Sequence, residues 1–382
     1  MSERYYLDYN ATAPLRPEVQ AAMVAAFARY GNPSSVHAEG RDARALVEAA
    51  REKVASLVGA RPEDVIFTSG GTEANALALA PHPGTGWRCY VSAIEHPSVL
   101  AGGRFGAEAI RRIPVTQDGV VDLEWLASEM APDGARDWRP FVSLMLANNE
   151  TGAVQPVAEA AEIAYAAGGL LHSDAVQAAG RLLIDIESLG VDMLTLSAHK
   201  IGGPKGVGAL IVKRGAAVES LIRGGGQERR RRAGTENVAG IAGFGVAADL
   251  AAQEVGKIDT LVQLRDNLER GALAIASEAV VLSSRVARLP NTSCIAAPGA
   301  KAETLVIGLD LAGVAVSAGS ACSSGKVEAS HVLTAMGVAP EIAQGAIRVS
   351  LGFGTRSTDI QVFLCAWSEL VARLKQSRKA AA

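Results

Sequence analysis

The sequence predicts an α/β protein whose central sheet is mainly parallel and covered by helices. Short apolar segments alternate along the chain with longer segments that have the periodicity of helices. The apolar segments are too uniformly hydrophobic for strands with one face in water, which favours strands that helices cover on both faces. The predicted strands are 65–68, 89–93, 141–146, 170–173, 193–197 and 207–212.

The first helical segments have recognisable start and stop residues. Pro17 begins a predicted helix over 17–30, and Gly31 follows it as a stop signal. A second predicted helix over 42–58 ends in the same way, at Gly59. Both helices precede the first predicted strand of the sheet.

Beyond Lys257 the pattern of the chain changes. A charged helix predicted over 259–277 is followed by shorter strands and helices, and a final helix is predicted over 358–375. This change indicates a domain boundary near Lys257, with a large α/β domain before it and a smaller α+β domain after it.

The composition excludes some classes of protein. The 382 residues carry 37 basic and 40 acidic side chains, a net charge of −3, so charge gives no argument for nucleic acid or a membrane surface as partner. No apolar stretch approaches the roughly 18 residues of a membrane span, and the first residues do not resemble a secretory signal. The four cysteines are widely separated. We therefore expect a cytoplasmic protein with free thiols, no disulfide framework and no metal site.

The segment after strand 193–197 contains the residue that most strongly suggests chemistry, Lys200. It lies in the run Ser-Ala-His-Lys-Ile-Gly-Gly-Pro, between two predicted strands. A lysine at the end of a buried strand loses hydration, which lowers its pKa, and a neutral amine can form a Schiff base with an aldehyde. The alternative is a surface lysine in a hairpin loop, which is the commoner situation for a single lysine.

A glycine-rich turn follows strand 65–68, in the run Ser-Gly-Gly-Thr-Glu-Ala-Asn at 69–75. A strand, glycines, a hydroxyl and a helix start can direct backbone N–H groups and the helix dipole at an anion, which suggests a phosphate site at Gly71 and Thr72. Many strand-to-helix turns are rich in glycine for steric reasons alone, so this motif is weak when taken singly.

Further strand ends carry polar side chains, namely His96, Asn149, Asp174 and Gln177. An aspartate at the end of a strand can hold a protonated pyridine nitrogen, although Asp is also common as a helix N-cap. His96 offers an imidazole that can stack on a flat ring or move protons. Since open α/β sheets bind ligands at the carboxyl ends of their strands, we expect these residues and Lys200 to meet in one crevice.

Taken together, the motifs resemble those of the cysteine desulfurases of the NifS/IscS type. These belong to the class-V aminotransferase family and have the aspartate-aminotransferase-like fold (fold type I). The similarity extends from Tyr6 to about Gly354, and the segment around Cys322 makes it specific, since the lysine motif alone identifies only the superfamily. The segments that carry the resemblance are 6–14, 30–37, 69–75, 95–96, 148–150, 197–200, 232–237 and 317–325.

The resemblance implies an enzyme that depends on pyridoxal 5′-phosphate. Lys200 would hold the cofactor covalently, and Asp174 would pair with its ring nitrogen. His96 would stack on the ring and is a candidate for proton transfer. The other implied cofactor contacts are Gln177 at the phenolic oxygen, Asn149 beside the ring, Gly71, Thr72, Ser197 and His199 at the phosphate, and Thr235 at the phosphate of the other subunit of a homodimer.

The implied reaction converts L-cysteine to L-alanine. Asn32 and Arg348 would hold the carboxylate of L-cysteine, a task that suits a planar guanidinium. Cys322 lies among alanines, serines and glycines, a composition typical of an exposed loop, and would receive the sulfur as a persulfide. A sulfur-acceptor or scaffold protein would then take the sulfur for iron–sulfur cluster or other sulfur-compound biosynthesis. The implied domains are a large cofactor-binding domain at 15–257 and a small domain at 1–14 and 258–382 that carries the Cys322 loop.

Other interpretations stay open on the sequence alone. A selenocysteine lyase or an aminotransferase of the same fold would keep Lys200 and Asp174, but an aminotransferase would not need the Cys322 thiol. A non-catalytic protein of this fold would be expected to lose Lys200 or Asp174, and both are present. Nucleic-acid binding rests only on the arginine run 229–232, and such a run is most often a solvated surface.

Overall fold

The computed structural model describes residues 4–80, 86–131, 137–213, 215–319 and 329–381. Within these ranges the strands are β1 Tyr5–Tyr6, β2 Val65–Thr68, β3 Gly86–Ser92, β4 Ile110–Ile113, β5 Trp138–Ser143, β6 Leu170–Asp174, β7 Met193–Ser197, β8 Gly208–Val212, β9 Val280–Val281, β10 Thr292–Ala296, β11 Val314–Ala315, β12 Ser317–Ala318 and β13 Ala346–Ser350. The helices are α1 Pro17–Phe27, α2 Ala38–Ser56, α3 Gly71–Ala78, α4 Pro97–Leu100, α5 Leu123–Met130, α6 Val157–Ala166, α7 Val238–Glu254, α8 Ile258–Ile275, α9 Ala302–Leu311, α10 His331–Ala335, α11 Pro340–Ala343 and α12 Ser357–Ala381. Short 3₁₀ turns occur at Pro62–Asp64, Ala107–Ala109, Ala198–Lys200, Gln227–Arg230 and Val255–Lys257.

The largest sheet contains seven strands in the spatial order β2-β8-β7-β6-β5-β3-β4. Neighbouring strands pair in parallel from β7 to β4, whereas β8 runs antiparallel to both β7 and β2. All residues of β2, β7 and β8 are buried, as expected for strands that are covered on both faces. The predicted α/β class with a mainly parallel central sheet is confirmed.

The predicted strands correspond to strands of this sheet, with shifts at some ends. β2 and β7 have the predicted bounds, whereas β3 begins earlier, and β5 covers Trp138–Ser143 instead of 141–146. The backbone amide of Leu146 still donates to the carbonyl oxygen of Asp174 at 2.9 Å. The chain therefore stays beside β6 after the regular pairing of β5 has ended.

Two elements differ from the sequence pattern for identifiable reasons. The pattern does not predict β4, because this edge strand carries Arg111 and Arg112 on its exposed positions. The predicted helix over 17–30 is shorter than expected, since α1 ends at Phe27. Phe27 and Tyr30 are 72% and 84% exposed, so they do not belong to the buried face of α1 within this chain.

A second group of buried apolar side chains lies apart from those of the seven-stranded sheet. It surrounds the four-stranded sheet of order β12-β13-β10-β9 and includes Leu7 from near the start of the chain and Trp367 from α12. β1 pairs in parallel with β11, which joins the first described residues to this part of the fold. This second core is therefore built from both ends of the chain.

Among the described residues, no single helix is long and apolar enough to cross a membrane. α7 and α8 taken together have the length and composition of a membrane span, but the chain bends by 77° between them. α7 packs against α1 and α2, and its small and apolar residues are largely buried.

A buried ion pair joins α2 to the arginine run at 229–232. Arg51 donates from Nη1 and Nη2 to the two carboxylate oxygens of Glu228, at 2.8 and 2.9 Å. Glu228 also accepts from the backbone amide of Phe67 in β2, at 3.0 Å. Glu228 and the two residues after it have φ values of 45°, 55° and 65°, a region that non-glycine residues rarely occupy. The ion pair therefore holds a strained loop against the strand that leads to α3.

We expect the substitution Arg51→Met to lower the free energy of unfolding by about 3–5 kcal/mol, because the Glu228 carboxylate would stay buried without a cation. Replacing both partners, Arg51→Met with Glu228→Gln, should recover part of this loss, since no charge is then buried alone. Urea unfolding followed by circular dichroism measures both variants. Equal stability of Arg51→Met and the native chain would contradict this account of the loop.

Candidate active site

The strand ends of the seven-stranded sheet surround a cavity of about 220 Å³. β2, β6 and β7 end at its border, and the turns after β3 and β5 complete it. Polar side chains named from the sequence share this cavity with Asn75 and Ser98. The residues named from the sequence that line it are Gly71, Thr72, His96, Asn149, Asp174, Gln177, Ser197, His199 and Lys200. Positions far apart in the chain thus face one space.

The other residues named from the sequence lie elsewhere. Arg348 in β13 borders the site, since its Nη1 donates to the carbonyl oxygen of Asn149 at 3.1 Å. Asn32 and Thr235 are exposed and do not line the cavity. Cys322 lies outside the described residues.

Lys200 is the last residue of the 3₁₀ turn that follows β7. Its Nζ donates to the backbone carbonyl oxygens of Asn10 and Ala11, at 2.6 and 2.9 Å. Burial and the nearby guanidinium groups of Arg348 and Arg181 together lower the pKa of Lys200 to about 7, against the opposing effect of Asp174 and Asp8. Near neutral pH a large share of this amine is therefore unprotonated and nucleophilic.

Asp174, the last residue of β6, is buried with both carboxylate oxygens held in place. Oδ2 accepts from Asn75 Nδ2 at 2.7 Å, and Oδ1 accepts from the backbone amide of Val176 at 2.9 Å. Asn75 Nδ2 is also 2.9 Å from Ser98 Oγ, next to the turn that carries His96. The amide of Asn75 therefore fixes the carboxylate relative to the imidazole across the cavity.

His96 is the N-cap of α4, and its Nδ1 accepts from the backbone amide of Ser98 at 3.2 Å. That bond assigns the proton of the neutral ring to Nε2. Burial lowers the pKa of His96, an effect that Asp174 opposes and Lys200 reinforces. The imidazole is therefore neutral near pH 7 and can take up or release a proton in the cavity.

The turn from β2 into α3 has the features of an anion site. α3 begins at Gly71, and the N–H groups of its first turn have no partner within the helix. A Cβ atom added to Gly71 would lie 3.1 Å from Cγ2 of Val176, so a larger residue would crowd the cavity wall. His199 Nδ1 is 3.1 Å from Thr12 Oγ1, and burial together with Lys200 lowers the pKa of His199 to about 4. His199 therefore acts as a neutral hydrogen-bonding group.

An ion pair ties the arginine run to this turn. Arg232 Nε donates to Glu73 Oε1 at 2.9 Å, and the backbone amide of Ser69 donates to Glu73 Oε2 at 2.8 Å. Burial raises the pKa of Glu73, but the hydrogen bonds from Arg232 and Ser69 outweigh it and keep the pKa below its usual value. Part of the arginine run is thus structural, which weakens the interpretation of the run as a nucleic-acid surface.

Arg348 has an incomplete set of partners. Its Nη2 forms an ion pair with Asp8 Oδ1 at 2.7 Å, and Nη1 donates to the Asn149 carbonyl. Its Nε is buried and finds no hydrogen-bond partner among the described residues. A buried donor without an acceptor is costly, so this edge of the guanidinium suits an incoming anion.

The motifs alone do not single out Asp8, Asn10, Asn75 or Arg181, although each contacts a residue of the site. Asn10 and Lys200 are separated by 190 positions, so no spacing rule connects them. Arg181 stands out in the sequence as a charged residue after a mostly apolar segment, but the sequence does not show what it contacts. These contacts depend on the assembled fold.

The chain is similar to known proteins along nearly its whole length. Residues 5–363 match the aminotransferase class-V family. A cysteine desulfurase of Cereibacter sphaeroides is 47% identical over 384 residues, which cover 98% of this chain and 97% of that protein. The chain belongs to the cysteine desulfurase family within the class-V aminotransferases.

Other cysteine desulfurases support the same assignment. Cysteine desulfurase IscS of Dictyoglomus turgidum is 42% identical over 98% of this chain and 96% of its own length. The solved structure of a NifS-like protein from Rickettsia africae superposes with a TM-score of 0.88 and is 38% identical, covering 97% of this chain and 100% of its own. The family inferred from the motifs, and the fold that it implies, are confirmed.

The lowered pKa of Lys200 predicts an amine that reacts near neutral pH. Below pH 7 it is mainly protonated and unreactive, and above pH 7 it is mainly neutral, whereas an ordinary lysine titrates near 10. Competitive acetylation of the cofactor-free chain across this pH range, read by mass spectrometry, measures the titration, with the exposed Lys205 as internal reference. A Lys200 midpoint in the ordinary range would show that burial does not act as described.

Proposed function

We propose that this chain is a pyridoxal-phosphate-dependent cysteine desulfurase. It converts L-cysteine to L-alanine, holds the sulfur on Cys322 as a persulfide and passes it to an acceptor protein for iron–sulfur cluster or other sulfur-compound biosynthesis. The observation that carries the proposal is the juxtaposition, in one cavity, of the Lys200 amine with a pKa of about 7 and the carboxylate of Asp174. The similarity to cysteine desulfurases over nearly the whole chain supports the choice of reaction.

The donor set of the cavity fits pyridoxal phosphate. A partly neutral amine suits an aldehyde, and the first turn of α3 with Thr72 suits a phosphate. Within the described residues the carboxylate of Asp174 is held by neutral N–H donors, which leaves its charge available for a protonated ring nitrogen. When bound, the cofactor supplies an electron sink for negative charge at the carbon next to the substrate amino group.

In this proposal the residues of the cavity bind different parts of the cofactor. Lys200 holds the cofactor covalently, Asp174 binds its ring nitrogen, and Gln177 binds its phenolic oxygen. His96 and Asn149 lie beside the ring. The phosphate contacts are Gly71, Thr72, Ser197 and His199, with Thr235 reaching the phosphate of the other subunit of a homodimer. The exposure of Thr235 within one chain supports a role toward a second one.

Two neutral groups are proposed to move protons. Lys200 Nζ, once free, takes the proton from Cα of L-cysteine, which its pKa of about 7 allows near neutral pH. His96 holds a proton at Nε2 and can deliver it within the same cavity. The hydrogen bonds from Nζ to the carbonyl oxygens of Asn10 and Ala11 orient the amine in the cavity.

Arg348 and Asn32 are proposed to bind the carboxylate of L-cysteine. The buried Nε of Arg348 supports this role, because it has no partner within the described ranges and a carboxylate oxygen would satisfy it. The ion pair with Asp8 holds the guanidinium plane in place. Asn32 is exposed in this structure, so its part in the proposal rests on the resemblance alone.

Cys322 is proposed to take the sulfur by direct displacement. Its thiolate attacks the sulfur of the substrate, an S–S bond forms, the C–S bond breaks, and the carbon keeps the electron pair and gains a proton to give L-alanine. The other cysteines suit this task less well. Burial raises the pKa of Cys89 and of Cys294, the latter to about 12, which disfavours their thiolates. Cys365 is exposed on α12 and does not line the cavity.

We also propose the division into a large domain at 15–257 and a small domain at 1–14 and 258–382. The second hydrophobic core supports it, because this core unites Leu7 with residues of α8 and α12. We further propose that the protein acts in the cytoplasm as a homodimer that meets its acceptor protein there.

The decisive test is the chemical state of Cys322 after addition of L-cysteine. We expect mass spectrometry of the holoenzyme to find a persulfide on Cys322, together with release of L-alanine. Cys89, Cys294 and Cys365 in the same digest serve as internal controls. Cys322→Ser should keep the absorption of bound cofactor and lose the persulfide, whereas an unmodified Cys322 in an enzyme that releases L-alanine would contradict the mechanism.

The role of Arg348 predicts a defect in substrate binding. We expect Arg348→Lys to lower kcat/KM for L-cysteine by about 10–100-fold, mainly through KM, because a charge-assisted bidentate contact is lost. Steady-state release of L-alanine measures the effect. Arg288→Lys, which alters a buried arginine paired with Glu269, is the matched control. An unchanged KM for Arg348→Lys would remove Arg348 from the substrate site.

A further inference from the structure

Arg181 has a buried guanidinium that pairs with no carboxylate in the part of the chain that the structure describes. Arg181 is 7% exposed. Within the described part of the chain it forms no ion pair, and its hydrogen bonds go to neutral oxygens. Other buried arginines in this fold, such as Arg51 and Arg288, have a glutamate partner. Burial, together with the charge of Arg348, lowers the pKa of Arg181 to about 9. Burying a cation without a carboxylate partner costs folding free energy, which suggests that Arg181 is kept at this position for its function.

The partners of Arg181 belong to three separate segments of the site. Its Nη1 donates to the side-chain oxygen and the backbone carbonyl of Gln177, at 2.5 and 2.9 Å. Its Nη2 lies 3.4 Å from the carbonyl oxygen of Tyr9 and 3.5 Å from that of Lys200. One planar group thus connects the N-terminal segment, the turn after β6 and the turn that presents the reactive amine.

The contact with Gln177 fixes the orientation of an amide. Because Oε1 accepts from Arg181, Nε2 must point the other way, where it donates to the carbonyl oxygen of Asn10 at 3.0 Å. A flipped amide would set its NH₂ group against the guanidinium, with donor facing donor. The orientation that leaves Nε2 as the available donor is therefore the stable one.

We propose that Arg181 is a positioning residue of the active site: its guanidinium locks the Gln177 amide with Nε2 as donor and sets a fixed positive charge behind the turn of Lys200. The role of Gln177 toward the cofactor rests on the proposed function. The effect on Lys200 does not, because it acts on the amine of the chain itself.

A fixed cation near a partly buried amine opposes the binding of a proton by that amine. The charged groups near Lys200 are Arg181 and Arg348, which lower its pKa, and Asp174 and Asp8, which raise it. His96 and His199 also face the site and are neutral near pH 7 because their pKa values are lowered. Removing Arg181 leaves the two aspartates opposed by Arg348 alone, so the proton should bind Lys200 more tightly.

A second cavity offers a sharp test of this charge effect. This cavity of about 260 Å³ is lined by Arg181 and Lys200 together with Arg16 and Phe353. In Arg181→Ala, a guanidinium ion can enter the vacated space and restore both the charge and the planar donors. Urea has a similar shape and similar donors but no charge, so it separates the two effects.

The first experiment titrates Lys200 in the cofactor-free full-length chain by competitive acetylation. We expect the midpoint in Arg181→Ala to rise by roughly one unit, to return with millimolar guanidinium chloride, and not to return with urea or with sodium chloride at equal ionic strength. Arg288→Met, which removes a buried arginine elsewhere, should leave the Lys200 midpoint unchanged. A midpoint unaffected by Arg181→Ala, or restored equally by urea, overturns the charge effect.

The second experiment tests the amide lock in the holoenzyme. We expect Arg181→Ala and Gln177→Ala to shift the pH midpoint of the cofactor's visible absorption in the same direction, with a double variant whose shift is smaller than the sum of the two single shifts. Additive shifts would mean that Arg181 does not act through Gln177. If Arg181→Ala does not fold, Arg181→Gln takes its place in both titrations.

These outcomes are independent of whether the proposed reaction occurs. The acetylation titration needs neither cofactor nor turnover, so a failed persulfide test at Cys322 would leave its result standing. Conversely, a wild-type enzyme that forms the persulfide while Arg181→Ala shows an unchanged Lys200 titration would remove the charge effect of Arg181 and keep the proposed function.

Discussion

The site depends on an amine that is partly withdrawn from water and that, among the described residues, hydrogen-bonds to carbonyl oxygens instead of a carboxylate. Lys200 Nζ donates to the carbonyl oxygens of Asn10 and Ala11. Carbonyl oxygens accept from the amine in either protonation state but do not neutralise a positive charge, so burial favours the neutral form. An aspartate in their place would stabilise the ammonium ion and remove the nucleophile. Asp174 and the guanidinium groups of Arg181 and Arg348 then adjust the pKa of Lys200 by smaller amounts.

The parts of the site that sequence reasoning reaches are those encoded locally. β2 and β7 are short, mostly apolar and followed by glycine-containing turns, so their bounds and the positions of Gly71 and Lys200 follow from the residues themselves. Asp174 could be placed at a strand end for the same reason. Its partner Asn75 could not, because the two are 99 positions apart and meet only after β6 and α3 have packed.

Periodicity also has a limit that α1 illustrates. The pattern identifies apolar residues on one side of a helix, but it does not say what covers them. Val19 is fully buried against this chain, whereas Phe27 is 72% exposed and Tyr30, beyond the end of the helix, is 84% exposed. Tertiary packing decides whether a residue is buried. An apolar helix face that is identified from the sequence therefore does not show which of its residues lie in the interior.

The pairing of the first residues has a consequence for how the protein is made. Tyr5 pairs with Val314, and the backbone amide of Asn10 donates to Ser350 Oγ, 340 positions along the chain. On the ribosome, Lys200 is synthesised long before these partners exist, so the carbonyl oxygens that receive its amine are not yet fixed in place. Until β13 has emerged and folded, Arg348 cannot lower the pKa of this amine, which favours its protonated form. The lowered pKa that favours reaction with an aldehyde is therefore acquired only after β13 has been made, when the strands that carry most of the site are already complete.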